Sequence, residues 1–335
     1  MFQLTIHQSR VVVGESYRNL HKYLPVGKPV IVITDANIIN HYGNFFRNWP
    51  IIEIGEGEEN KTLDTVSYIY TRLMEMNADR NTFIAAVGGG IVCDVAGFAA
   101  STYMRGIPFG FVSTTLLSQV DASVGGKNGV NFGGYKNMIG AFNQPQFVLC
   151  DTAMLQTLPE REFVSGFAEI VKAAAIRDTE LFNYLEQNAE KALARDEEVI
   201  HHLVVESVKI KAAVVARDER EQGERRILNF GHTYGHAVEA LSGVGHGEAV
   251  SIGMMMAARR SIDECNFPKG EYERLESLLH RLGLPTSIDL SLEAIHQILL
   301  KDKKRENNLI HFILLSEIGK TIIHKTPIQN LKLET

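Results

Sequence analysis

The spacing of apolar residues divides the chain in two. Up to about residue 150, short β-branched runs alternate with segments whose apolar positions return every three or four residues. Pro29-Val-Ile-Val-Ile-Thr runs into Asp35, Ile51-Ile-Glu-Ile precedes Gly55, and Phe83-Ile-Ala-Ala-Val closes on Gly88-Gly-Gly. Pro108-Phe-Gly-Phe-Val and Phe147-Val-Leu-Cys complete the series, and the spacing predicts a helix over about residues 62–76. Strands alternating with helices imply parallel βαβ units, and so an α/β, doubly wound (Rossmann-like) domain over residues 1–156. The N-terminal Phe-Gln-Leu-Thr-Ile alternates like an edge strand. From Thr157 the texture is helical, with patterns at Glu160–Ile176, Thr179–Ala194, Glu197–Ala216, Ile227–Leu241, Ala249–Cys265 and Gly270–Leu282. A β-like run, Ile310-His-Phe-Ile-Leu-Leu, returns near the end. Residues 157–335 therefore read as a mainly α-helical second domain. Ligands of a doubly wound sheet lie beyond the carboxyl ends of its strands, and a cleft between two such domains is an expected binding place.

Composition narrows the partners. The 335 residues carry a net charge of −6, which argues against nucleic acid but not against a small anionic substrate, because local lysines decide that. Three widely spaced cysteines (Cys93, Cys150, Cys265), an odd number without a CxxC pair, argue against a disulfide framework or zinc finger. The N-terminus lacks a basic start with a long apolar core, and no apolar run is long enough to cross a bilayer. A cytoplasmic protein with no membrane partner is expected.

The densest chemistry lies between Gly223 and Ala249. His232 and His236 are four residues apart and share a helix face, with small Gly231, Gly235 and Ala237 admitting a close neighbour. Two such histidines alone read as half-buried core residues. A third, His246, followed by Gly247 and Glu248, favours a metal site needing neutral imidazoles. Glu169 and Lys172, three apart on an otherwise apolar helix, read either as a surface ion pair or as a buried acid needing a partner or a metal. Glu169 with His232 and His246 would leave coordination positions open, the catalytic arrangement of zinc. Lys211, Arg225 and Asn229 are further polar groups on apolar helices.

In the first half, Gly88-Gly89-Gly90 follows a strand and opens a helix, reading equally as a phosphate cradle or a tight turn. Asp35, Glu58 and Lys61 suit ribose and phosphate, or a cap and a surface turn. Asp121 to Lys127 and Asn128 to Asn137, rich in Gly, Asn and Lys, read as a loop presenting backbone and ammonium groups to an oxyanion-rich ligand. Arg105 reads as a phosphate clamp or a solvated turn residue, and Asp302-Lys303-Lys304 as a phosphate contact or plain surface.

Assembled in order, these motifs resemble the 3-dehydroquinate synthases, sugar phosphate cyclases of the shikimate pathway. The resemblance runs from Glu58-Glu-Asn-Lys61, Gly88-Gly-Gly-Ile-Val-Cys-Asp94, Tyr103-Met-Arg105-Gly and Thr114-Thr115-Leu-Leu through Lys136-Asn137-Met-Ile-Gly. It continues in Thr157-Leu-Pro, Ala168-Glu169-Ile-Val-Lys172, Asn229-Phe-Gly-His232-Thr-Tyr-Gly-His236 and His246-Gly-Glu-Ala. It implies NAD- and zinc- (or cobalt-) dependent conversion of 3-deoxy-D-arabino-heptulosonate 7-phosphate, an anionic sugar phosphate, to 3-dehydroquinate and phosphate. Implied metal ligands are Glu169, His232 and His246. Implied cofactor contacts are Asp35, Asn37, Glu58, Lys61, Gly89, Gly90, Asp94, Thr114, Thr115, Lys127, Lys136 and Thr157. Implied catalytic and substrate residues are Asp121, Lys127, Asn137, Lys172, Lys211, Arg225, Asn229, His236 and Lys303, with Arg105 reaching in from the other subunit of a homodimer. The segment Asn131-Phe-Gly-Gly-Tyr-Lys136 departs from the Pro-Leu-Gly-Lys form of many members. The competing readings are a sister cyclase making valiolone- or inosose-type rings, an iron-type polyol dehydrogenase, and a metal-binding protein without catalysis.

Overall fold

The structure, a computed structural model, describes residues 1–303 and 308–330. It separates into two units, Met1–Pro159 and Glu160–Thr335. In the first, β1 (Phe2–Ile6), β2 (Ser9–Val13), β3 (Val30–Asp35), β4 (Ile51–Ile54), β5 (Phe83–Gly88), β6 (Phe109–Ser113) and β9 (Phe147–Cys150) form one sheet. The strand order is β1-β2-β9-β6-β5-β3-β4, parallel throughout except that β1 runs antiparallel to β2. The inner strands β5, β6 and β9 are buried at every residue, which is why they read as unbroken apolar runs rather than as alternation. From β3 the chain goes outward to β4, then returns to place β5 on the opposite side of β3. That reversal sets the carboxyl ends of β3 and β5, Asp35 and Gly88, beside one another, at the position where doubly wound sheets bind ligands.

Helices α1 (Ala36–Phe46) and α2 (Leu63–Glu75) start where side chains satisfy their free N–H groups, whereas α3 (Gly90–Thr102) starts after Gly89 without a side-chain cap. Asp35 Oδ1 accepts from Ile38 N (3.0 Å), and Thr62 Oγ1 from Thr65 N (3.3 Å). The segment expected as a loop from Asn128 to Asn137 is instead part of a β-hairpin, β7 (Lys127–Phe132) with β8 (Tyr135–Phe142). Gly133 and Gly134 both take positive φ (59° and 80°), the conformation of a two-residue hairpin turn whose twist matches the flanking strands. Across the pair, Gly129 and Gly140 pack backbone to backbone; a methyl on Gly129 would sit 2.7 Å from Ile139 O.

The second unit holds α4 (Glu160–Arg177), α5 (Thr179–Leu193), α6 (Glu197–Arg217), α7 (His232–Ser242), α8 (His246–Cys265), α9 (Lys269–Arg281) and α10 (Leu292–Lys303). Two antiparallel strands follow, β10 (Leu309–Glu317) and β11 (Lys320–Pro327). Asp178 and Asp196 cap α5 and α6 by accepting from Leu181 N (2.9 Å) and Val199 N (3.1 Å). The helix expected to run from Ile227 breaks: a 3₁₀ turn covers Glu224–Asn229, and α7 starts only at His232, after Gly231 at φ +79°. A methyl on Gly231 would meet Met254 Cγ at 2.6 Å and Val250 O at 2.9 Å, so the break seats α7 directly on α8.

Glycine sets the approach of these helices. A methyl on Gly253 would strike Gly231 O and lie 2.6 Å from Gly235 N, and one on Gly235 would lie 3.0 Å from Ala249 O. At its start α8 also touches α4, where a methyl on Gly247 would lie 2.7 Å from Ser165 Cα. On another side of α7, buried Arg260 stacks on Phe312 (4.0 Å to the ring centroid) and donates to Glu264 (2.6 Å), Thr326 (3.2 Å) and the Tyr234 hydroxyl (3.4 Å).

Gly253→Ala forces backbone apart and is expected to destabilise the protein by about 3 kcal/mol or more. Gly270→Ala, with nothing within 4 Å of the added methyl, should change stability by at most about 1 kcal/mol. Paired denaturant titrations check both, and equal effects would contradict this packing.

Candidate active site

Three helices deliver one donor each to a single point. Glu169 lies within α4, while His232 and His246 are the first residues of α7 and α8. Glu169 Oε1 is 3.6 Å from His232 Nε2 and 3.5 Å from His246 Nε2. Two donors of a tetrahedral ion held at about 2.0–2.1 Å are themselves about 3.4 Å apart, so each imidazole nitrogen stands near coordination spacing from the carboxylate oxygen, and all three ligand atoms lie within 4.8 Å of one another. The donor set of two imidazoles and a carboxylate with open positions fits a catalytic zinc or cobalt ion. Both Glu169 oxygens are buried without a hydrogen-bond partner, and the charge is met by an ion pair between Oε2 and Lys172 Nζ. His232 Nδ1 lies 3.2 Å from Phe230 O, which fixes the tautomer that leaves Nε2 free to ligate.

The electrostatics follow from this crowding. Burial alone would raise the Glu169 carboxyl, but the Lys172 ammonium and the two imidazoles hold it well below the usual range. Burial, with the Lys172 charge, pushes His232 down to about 3, so it is a neutral donor. Burial also opposes charge on His246, yet the Glu169 and Glu239 carboxylates on either side of the ring outweigh it and lift it to about 9.

Of the expected set, Lys172 and His236 lie beside the three donors, and others stand on neighbouring elements. Lys172 is on the site through Glu169, and the His236 ring lies 5.5 Å from that of His232, with His236 itself exposed. Lys211 on α6 and Arg225 in the 3₁₀ turn are buried, on elements that pack together and against α4. Asp218 shapes that turn by accepting from Gly223 N (2.7 Å), Gln222 N and Arg225 N (both 3.0 Å). Asn229 donates to Glu221 Oε1. Lys303 is the last residue of α10, and its side chain, like Lys304, lies outside the described residues.

In the first unit, Gly89 is the N-cap and Gly90 the first residue of α3, at the sheet's switch point beside Asp35 and exposed Asn37. Burial raises the Asp35 carboxyl, partly offset by its cap hydrogen bonds. A strut ties this edge to the hairpin. Lys61 pairs with Asp94, Asn131 Nδ2 donates to Glu58 Oε1 (2.8 Å), Lys136 Nζ lies 3.8 Å from the same oxygen, and Asn137 N donates to Asn131 Oδ1 (2.9 Å). Thr114 N donates to Gly88 O (3.0 Å), Thr115 Oγ1 to Ser118 Oγ (2.9 Å), and the Thr157 hydroxyl lies 2.6 Å from that of Tyr42. Asp121 sits in a single π-helical turn, Ser118–Ala122, a distortion common at functional sites. Lys127 and Arg105 are exposed, and Arg105 follows Met104 in a pair of positive-φ residues (49° and 71°).

Residue-by-residue reading of the sequence missed Glu239, Glu221 and the bridging role of Asn131. Glu239 carried a signal: it falls seven residues after His232 and three after His236, on their helix face.

The family model described as 3-dehydroquinate synthase N-terminal matches residues 51–165, and that described as 3-dehydroquinate synthase C-terminal matches residues 166–305. The chain is 48% identical over 272 residues to the 3-dehydroquinate synthase of Geobacter metallireducens, covering 80% of this chain and 76% of that protein. It is 44% identical over 314 residues to the one from Desulforamulus reducens, covering 90% and 88%. Among solved structures it resembles a 2-deoxy-scyllo-inosose synthase complexed with carbaglucose-6-phosphate, NAD+ and Co2+, at 29% identity and TM-score 0.87 over 97% of this chain and 96% of that one. Among the described residues, no helix is long and apolar enough to cross a membrane.

The raised His246 sets a sign for metal uptake. Between its ordinary value of 6.5 and about 9, the metal-free ring carries a proton that ligation must expel. Affinity should therefore rise with pH up to about 9, and zinc uptake near pH 7.5 should release about one proton. The same proton stabilises the metal-free fold below 6.5, a contribution lost as pH rises through about 9. Calorimetric titration in buffers of different ionisation enthalpy reads the release directly; an enthalpy identical in all buffers would contradict it.

Proposed function

The chain belongs to the 3-dehydroquinate synthase family, and on that premise we propose how its residues share the conversion of 3-deoxy-D-arabino-heptulosonate 7-phosphate to 3-dehydroquinate and phosphate. The observation that carries this reading is the convergence of Glu169, His232 and His246 at coordination spacing, with buried Lys172, Lys211 and Arg225 on the same group of packed elements. When bound, zinc or cobalt supplies a Lewis-acid anchor for substrate hydroxyls, and NAD a hydride acceptor restored within each turnover.

Glu169 and the two imidazoles hold the ion. Lys172 keeps Glu169 ionised before the ion arrives, so the carboxylate is ready to ligate without losing a proton. Lys211, Arg225, Lys127 and Lys303 bind the substrate carboxylate and phosphate, with Asp121, Asn137 and Asn229 orienting hydroxyls. This local cationic lining lets a chain of net charge −6 take a multiply anionic ligand. His236, exposed one turn beyond a ligand, moves a proton between substrate and solvent. Asp35, Asn37, Glu58, Lys61, Gly89, Gly90, Asp94, Thr114, Thr115, Lys136 and Thr157 line the cofactor edge, with Lys127 also reaching it. The strut from Lys61 through Asn131 to Asn137 supports this by linking cofactor-edge residues to a substrate residue within one unit. Arg105 completes the phosphate contact of a second subunit in a homodimer, a role its exposure and the exposed Met104 beside it suit. Three unpaired cysteines suit a cytoplasmic setting.

The test combines substrate, zinc and substoichiometric NAD, following phosphate, product and NADH absorbance together. Phosphate and dehydroquinate should form with no net NADH, and Lys211→Ala or His246→Ala should lower kcat/KM by on the order of 100-fold or more. Release only from a heptulose 7-phosphate lacking the carboxylate would instead favour the inosose- or valiolone-type reading. Steady NADH from simple polyols would favour a dehydrogenase.

A further inference from the structure

Glu239 is close to the metal ligands, and neither motif nor relative assigns it a role. It stands on α7, two turns beyond His232, with a side chain only 10% exposed. Its Oε2 lies 3.9 Å from His246 Nδ1, while His246 Nε2 faces Glu169 Oε1 at 3.5 Å. The imidazole is thus held between two carboxylates, one on each ring nitrogen. An imidazole ligates through one nitrogen only when the other carries the proton, and the acceptor of that proton fixes tautomer and ring orientation.

We propose that Glu239 is the positioning carboxylate of the metal centre, accepting the Nδ1–H of His246 so that Nε2 is the ligating atom. The proposal rests on the metal-site reading above. The pair stands at 3.9 Å, within ion-pair range, and closes to a hydrogen bond when Nε2 ligates. His232 has the equivalent support from a neutral carbonyl, Phe230 O at 3.2 Å, so the two histidines differ: one is held by backbone, the other by an anion. The anion makes His246 the more basic donor and makes it depend on a side chain. The arrangement also couples the helices. Gly235 and Gly253 let α7 lie against α8, so α7 supplies one ligand and orients the ligand supplied by α8.

The test measures zinc affinity by competition with a chromophoric chelator and the visible spectrum of the cobalt-loaded protein. Glu239→Ala should weaken zinc binding about 10–100-fold and shift the cobalt bands. Glu239→Asp should recover part of the loss. Glu239→Gln, which keeps the shape and removes the charge, should weaken binding by a smaller factor and serves if the alanine variant does not fold. Wild-type affinity and an unshifted cobalt spectrum in Glu239→Ala and Glu239→Gln would overturn the proposal. His246→Ala separates the two readings. If it loses zinc while the Glu239 variants do not, only the positioning role fails. If it too binds zinc normally, the metal centre itself is wrong.

Discussion

Backbone contact between helices is the constraint on which the metal centre depends. Three donors from three helices can converge only if the helix axes come closer than ordinary side chains allow. Gly231, Gly235 and Gly253 remove the side chains between α7 and α8, and Gly247 removes one between α8 and α4. Each position would place a methyl inside van der Waals distance of backbone, which cannot rotate out of the way as a flexible side chain could. The helix starts follow from the same contacts. Gly231 in the left-handed region ends the 3₁₀ turn and begins α7 at His232, and the start of α8 at His246 sits against Ser165, four residues before Glu169. A loop-borne ligand set would need ordering when the ion binds; here the packing has already positioned it.

Charge is arranged around that point at the expense of burial. A carboxylate and an ammonium, each about 2% exposed, lie together in Glu169 and Lys172, and neither would remain charged there alone. Their pairing keeps Glu169 an anion, burial keeps His232 neutral, and two carboxylates keep His246 basic. The three candidate ligands thus have three different protonation habits, each traceable to its surroundings. Buried Lys211 and Arg225 extend the same local chemistry, which the negative net charge of the chain hides.

Much of this was legible in the sequence, for specific reasons. The inner strands are buried on both faces, so their apolar runs are continuous and unmistakable, and Asp35, Thr62, Asp178 and Asp196 mark helix starts as caps do. The candidate ligands were readable because His232 lies one helical turn from His236, and His246 follows close behind in the same histidine-dense stretch. The hairpin of β7 and β8 was not readable: Gly and Asn dominate it, and its pairing depends on two glycines at positive φ and on backbone contact across Gly129 and Gly140, neither visible as hydrophobic periodicity. Strand β11 was missed because its apolar signal is two adjacent isoleucines. Glu239 was missed because a lone glutamate on a helix ordinarily faces water, and its approach to His246 depends on where the fold places the next helix. Asn131 was noticed as a departure in the loop, while its strut to Glu58 and Asn137 required the fold.

The central claim, that three helices packed through glycine hold one ion through Glu169 and the Nε2 atoms of both histidines, is tested most directly by anomalous diffraction at the zinc edge from crystals of the zinc-loaded protein. The account predicts a single strong peak about 2.0–2.2 Å from a Glu169 carboxylate oxygen and from Nε2 of His232 and His246, with the Nδ1 atom of His246 turned toward Glu239. A peak elsewhere, or coordination through His246 Nδ1, would contradict it.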